Sequence, residues 1–299
     1  MAVVTDGARQ HAGSDAPRAT LARRTAVCAK NGGMSEAPAA PAASTEAKGL
    51  PPIDVNEYGG KKEGAKQAMN RRLFMQLLVF RVPKGTEAVS GGAKTAPDAV
   101  GAELVSILRA RKIPGVVYAD TMDPRSLAVL SWSEDPTHFV RNIRPLFTEA
   151  PLANVDLRDD FGMLGRSYST GHEPELEWSL LKRPIENVMN EMTRWHVWYP
   201  LRRKGAFAKL EPIEQSHTLR EHAALGIAYG QQELATDVRL ACHGIDAGDN
   251  EFVIGLMGKD LHPLSHLVQA MRKTRQTSEF IEKMGPFFVG YVLGSSSGT

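Results

Sequence analysis

The chain has 299 residues, of which 42% are hydrophobic and 23% charged, and a formal net charge of +2 with a pI near 8.5. That length allows two modest cores, and so small a net charge excludes a nucleic-acid partner held by bulk electrostatics. Two distant cysteines, Cys28 and Cys242, exclude a disulfide scaffold or zinc ribbon and fit a reducing, cytoplasmic setting.

Residues 1 to about 65 are rich in Ala, Pro, Gly, Ser and Thr, with APAAPAA from Ala37 to Ala43, and lack a sustained apolar period. A disordered leader is expected there. Arg9, Arg18, Arg23 and Arg24 give it a faint transit-peptide character that Asp6 and Asp15 interrupt, and Met34 offers an alternative start. The longest apolar run, Leu73 to Val79, is broken by Gln76 and is too short to cross a bilayer as a helix; it reads as a strand over 72–82. Val100, Leu104, Ile107 and Leu108 recur at i, i+4, i+7 and i+8, which predicts a helix. Short strands at 116–121 and 127–132 flank the Asp123-Pro124 turn, and helical spacing returns at Phe139, Val140, Ile143 and Phe147. A strand near 161–168 completes the order β-α-β-β-α-β, which is ferredoxin-like.

After a polar helical connection over 173–188, the order recurs: strand 195–201, helix 212–229, strands 238–242 and 252–256, helix 261–271, strand 286–292. Asp135 and Asp260 stand at equivalent helix N-cap positions in the two copies. The expected fold is therefore α+β, with a leader over 1–65, one ferredoxin-like module over 66–190 and a second over 191–299. A four-stranded sheet covered by helices on one face leaves its other face free, so two such sheets can close on each other as a dimeric α+β barrel.

His222 lies on the helix 212–229 with Leu219, Leu225, Gly226 and Tyr229 at helical spacing, which turns it toward the buried side. A lone histidine on such a face is ordinarily a core residue with a hydrogen-bond partner. Here Ala223, Ala224 and Gly226 leave a surface open enough for a flat macrocycle, and imidazole is the common protein ligand of haem iron. In the strand 195–201, alternation puts Trp195, Val197 and Tyr199 on one face and His196, Trp198 and Pro200 on the other. His262 and His266 stand at i, i+4 but lack a third ligand at zinc spacing.

Several segments resemble the chlorite dismutase and coproheme decarboxylase family, closer to the decarboxylase branch. Leu219-Arg-Glu-His222-Ala-Ala-Leu-Gly226 is similar to the family's proximal-histidine helix, and Trp198-Tyr199-Pro200-Leu201 to the segment that carries the catalytic tyrosine of the decarboxylases. Gly244-Ile-Asp246 with Glu251-Phe252, Leu267-Val268-Gln-Ala-Met271-Arg272, and the run from Gly285 to Gly290 resemble later stretches in the same order. The resemblance covers about 195–292 motif by motif and the first module only as architecture. It implies an iron porphyrin, haem or coproheme, on His222, with Tyr199 as a one-electron relay in peroxide-dependent decarboxylation of propionates, and a homo-oligomer, often a pentamer. Arg203 and Arg272 are then candidate propionate clamps, since guanidinium pairs carboxylate bidentately and stays charged. Thr277 or Ser278 would add a hydroxyl donor.

The departures are as specific as the matches. Where dismutases carry a distal arginine this chain has Asp237, with Arg239 two residues on and sharing its strand face. The acidic residue that supports the dismutases' proximal histidine would fall at Met257. Both points lean against chlorite chemistry, and where the resembled decarboxylases have a lysine four residues after the tyrosine this chain has Arg203; the alternatives are haem binding without turnover and chlorite dismutation with Arg239 over the iron.

Overall fold

The computed structural model describes residues 52–84 and 96–299; Cys28, Met34 and most of the expected leader lie outside the described residues. The leader was expected to reach about residue 65, whereas Glu57–Lys62 (β1) and Ala65–Met69 (β2) form a hairpin. It lacks a strong apolar alternation because it is held by polar contacts. Gly60 donates its N–H to the Glu173 carbonyl at 2.8 Å, and the Gln67 amide donates to the Glu173 and Pro174 carbonyls.

The first module follows as Phe74–Arg81 (β3), helix Ala96–Ala110 (α1), Gly115–Asp120 (β4), Ser126–Ser133 (β5), the two-residue Asp156–Leu157 (β6) and Met163–Ser167 (β7). The helical stretch expected from Phe139 is helical but not α: a π turn over Phe139–Ile143 gives way to a 3-10 turn over Arg144–Thr148, where Pro145 cannot donate to an α ladder. Helix Arg183–Met189 (α2) leads into the second module, made of Trp195–Arg203 (β8), helix Pro212–Gln231 (α3), Thr236–Ala241 (β9), Phe252–Gly258 (β10), helix Leu261–Met271 (α4), helix Arg275–Phe280 (α5), Ile281–Met284 (β11) and Phe288–Ser296 (β12). The short pair α5 and β11 is absent from the sequence expectation because its residues are mostly polar.

The strand order β7-β3-β5-β4 in the first module is repeated by β12-β8-β10-β9 in the second. Both run fourth, first, third, second, the ferredoxin-like order. The modules join at two seams, β4 with β12 and β7 with β9, so among the described residues the eight strands form a closed ring. Closure removes the free edges that each sheet alone would expose. At the β7–β9 seam a Cβ on Gly165 would lie 2.6 Å from the Leu240 Cβ, and on β10 a Cβ on Gly255 would lie 2.6 Å from the Trp198 ring. These two glycines permit close approaches that no other residue would.

Burial follows from the pleat. Met75, Leu77, Val79, Tyr118, Leu130, Trp198, Val238, Leu240 and Met257 fill the barrel interior, while α1 and the 139–148 turn cover the outer face of the first sheet through Val100, Leu104, Leu108 and Ile143. On the outer face of the second sheet, Val197, Tyr199, Leu201 and Leu256 pack with Leu264 and Leu267 of α4. The alternation expected in β8 is thus the observed one. Ile53–Thr299 forms one compact unit.

One polar pair crosses the interior. His196 is fully buried, with Nε2 3.1 Å from the Thr193 carbonyl and Nδ1 2.9 Å from the Tyr118 hydroxyl. A carbonyl only accepts, so Nε2 carries the proton and Tyr118 donates to Nδ1. Burial lowers the His196 pKa to about 4, below its unfolded value near 6.5. Between those values the unfolded state binds the extra proton, so stability is complete above pH 6.5 and falls as pH drops toward 4, by on the order of 3 kcal/mol. Denaturant melts of wild type and His196→Gln over that window should give a steeper acid loss in the wild type.

Candidate functional site

The outer face of the second sheet places side chains in rows. Tyr199 on β8, Ile254 on β10 and Arg239 on β9 stand at one register, and Val197, Leu256 and Asp237 at the next. The β7–β9 pairing, Arg166 with Ala241 and Ser167 with Leu240, brings Tyr168 of the first module beside Arg239. Sequence reasoning did not single out Tyr168, because its neighbour depends on a seam between modules.

Helix α3 lies over this face. It begins with Pro212 at a position where the missing N–H costs nothing, and its inward stripe is Gln215, Thr218, His222, Leu225 and Tyr229, of which only Thr218 is fully buried. The stripe expected from sequence is corrected in part: Leu219 is 40% exposed and Gly226 is exposed, while Thr218 takes the inward place. His222 is half-buried. Burial first, then the charge of Arg239, lowers its pKa, so the imidazole is neutral at pH 7 and close enough to the strand row to feel Arg239. His217, the other histidine of this helix, is exposed.

Tyr199 is buried at 7% exposure, with its ring 4.6 Å from that of Phe287. Burial raises its pKa, Asp237 adds to the rise, and Arg272 opposes it. Arg272 is exposed and makes no ion pair among the described residues. Arg203 is already engaged: Nε donates to Glu251 at 2.9 Å, and the guanidinium stacks 4.7 Å from both Phe207 and Phe252. Its terminal nitrogens remain available as donors. The Ser278 hydroxyl donates to the Thr274 carbonyl at 2.9 Å, so its proton is spent on its own helix; Thr277 is half-buried beside Thr274.

The two distal candidates lie on β9. Asp237 is ion-paired to Arg183 of α2 and, at 3.1 Å, to Arg239, and Asn187 of α2 donates to its carbonyl at 2.8 Å. Burial opposes its ionisation, but Arg239 and Arg183 hold its carboxyl below the usual carboxylate range. Asp237 is thus an anchored anion rather than a free one, and Arg239 is delivered to the Tyr199 row without a bulge. Met257, which would carry a supporting carboxylate, is fully buried in the barrel interior. Two other sequence features do not assemble. His266 is tied to the Tyr229 hydroxyl, 6.1 Å ring to ring from His262, and no group of three metal-ligating side chains forms among the described residues.

This donor set fits an iron porphyrin. His222 Nε2 has no hydrogen-bond partner among the described residues, and the Thr218 hydroxyl, one turn away on the same face, is buried without one. Ile254 and Leu256 make the sheet face apolar, and the Arg272 guanidinium and the terminal nitrogens of Arg203 have no hydrogen-bond partner among the described residues. A separate cavity of about 520 Å³ between α3 and α4, lined by Leu225, His266, Lys273 and Thr274, includes neither His222 nor Tyr199. No helix of the described residues is long and apolar enough to cross a membrane.

The chlorite dismutase family model matches residues 179–293, and no curated protein matches the sequence. Among solved structures, a novel heme-binding protein from Thermus thermophilus is 16% identical with a TM-score of 0.57, over 74% of this chain and 91% of that one. The chlorite dismutase from Candidatus Nitrospira defluvii in complex with imidazole is 13% identical with a TM-score of 0.55, over 74% and 90%. The family model thus matches the second module, and the likeness to these solved structures is one of fold.

Proposed function

We propose that this protein is a haem-family oxidoreductase that decarboxylates coproheme propionates with hydrogen peroxide, with His222 as the iron ligand and Tyr199 as the relay. The observation that carries the reading is the arrangement of a neutral imidazole on α3 over a strand row that holds an oxidisable phenol and a guanidinium. A bound iron porphyrin would supply the redox chemistry. Each turnover converts one propionate into a vinyl group and carbon dioxide, reducing one peroxide to two waters and consuming a proton. Tyr199 gives up its phenolic hydrogen and takes one from the propionate side chain, while Arg203 and Arg272 hold the carboxylates. Titration of the purified protein with coproheme and haem b, then peroxide and mass analysis of the porphyrin, tests this. Stepwise loss of carbon dioxide from coproheme is expected, and a bound porphyrin that peroxide leaves intact would leave a haem-binding protein instead.

Two observations favour rival readings. Arg239 reaches the Tyr199 row, which supports chlorite dismutation, read out as oxygen release from chlorite. The Tyr199 hydroxyl makes no hydrogen bond among the described residues, which supports a binder without turnover. The two clamps should also separate. Arg272→Ala should weaken porphyrin binding by about tenfold with melting unchanged, whereas Arg203→Ala should weaken binding and also destabilise the fold by about 1–3 kcal/mol, because it strips Glu251 of its partner and two rings of their packing. Binding isotherms and thermal melts of the two variants decide this.

A further inference from the structure

The position that bears a supporting carboxylate in the resembled dismutases is Met257, which faces the barrel interior, yet His222 does have a partner on another element. Thr274, the residue that caps α5, is buried at 2% exposure. Its hydroxyl stands 2.8 Å from the Met271 carbonyl and 3.4 Å from His222 Nδ1. A carbonyl can only accept, so the single hydroxyl proton of Thr274 is committed to Met271 and its oxygen can only accept from the imidazole. His222 must then carry its proton on Nδ1, leaving the Nε2 lone pair free. The Thr274 backbone is fixed as well: its N–H donates to the Met271 carbonyl at 3.0 Å, and its own carbonyl accepts from Ser278 N–H at 3.0 Å. A second contact ties the same two helices, since the Glu221 carboxylate, one residue before His222, accepts the Arg275 N–H at 2.9 Å. Adjacent residues of α3 are therefore joined to adjacent residues at the start of α5.

We infer that Thr274 is the positioning residue for His222, fixing the Nδ1–H tautomer and giving the ring a neutral hydroxyl partner in place of a carboxylate. A carboxylate partner pulls the Nδ1 proton away and makes an imidazole electron-rich; a hydroxyl whose own proton is engaged does so far less. The consequence for the site rests on the reading of His222 as axial ligand: an iron held there keeps a higher reduction potential than one supported by an acid, and its ferrous state is correspondingly favoured.

The tautomer can be read without any iron. Nitrogen-15 NMR of the metal-free protein should find His222 protonated at Nδ1 in wild type and in Thr274→Ser, and shifted toward the Nε2–H form, the one free imidazole prefers, in Thr274→Val. Retention of the Nδ1–H form in Thr274→Val, or an Nε2–H form in wild type, would overturn the inference whether or not the protein binds haem. In the haem b-loaded protein, redox titration should place Thr274→Asp below wild type by ~59 mV, a tenfold shift toward the ferric form, with Thr274→Ser unchanged. If the tautomer behaves as stated but the potentials do not move, the positioning stands and the axial-ligand reading fails.

Discussion

His222→Ala is expected to abolish the imidazole-dependent Soret shift on addition of haem b or coproheme and to weaken binding by roughly a hundredfold, ~2.7 kcal/mol. The fold should survive. His222 is half-buried on a helix whose inward stripe is otherwise Gln215, Thr218, Leu225 and Tyr229, and its one side-chain hydrogen bond among the described residues is the long one to Thr274. Truncation leaves no buried charge behind, because the imidazole is neutral. Absorption titration beside circular dichroism checks both halves. A variant that still ligates iron through an imidazole would move the ligand elsewhere, with exposed His217 the next candidate on α3. Added free imidazole should restore the shift in the alanine variant.

Tyr199→Phe should leave coproheme affinity within about twofold of wild type and lower the rate of conversion under peroxide by about two orders of magnitude or more. The ring keeps its shape against Phe287, and the lost hydroxyl makes no hydrogen bond among the described residues, so the fold has no reason to respond. What disappears is the oxidisable phenolic hydrogen. Single-turnover mixing followed by mass analysis of the porphyrin reads the rate separately from binding. Conversion at the wild-type rate would require another relay. Tyr168, which the β7–β9 seam places beside Arg239, is then the first residue to replace, ahead of Trp198 inside the barrel.

The fold was legible because its signals are local. Apolar runs doubly buried in β3, β5 and β8, and the helical stripes of α1 and α4, follow from residue spacing alone, and repetition of the order exposes the duplication. What stayed hidden is held by contacts that periodicity does not report. The β1–β2 hairpin depends on the Gln67 amide and the Glu173 carbonyl, and the 139–148 turn departs from α geometry at Pro145.

The candidate site divides the same way. His222, Tyr199 and the relation of Asp237 to Arg239 came from helix and strand periods together with the resembled family's motifs; Tyr199, Asp237 and Arg239 stand on one sheet face, and His222 is on α3. The state of each side chain did not, because partners come from distant segments. Arg203 is paired with Glu251, Asp237 with Arg183, and Ser278 with its own helix backbone. Thr274 and Tyr168 were missed because their relevance arises only when α5 meets α3 and when β7 meets β9.

The most direct measurement is anomalous diffraction at the iron edge from crystals of the coproheme complex. The account predicts a single iron peak within bonding distance of His222 Nε2, between α3 and the row of Tyr199, Ile254 and Arg239. An iron peak in the first module near Phe74 or Leu104, or one beside α3 with His222 unbonded, would contradict it.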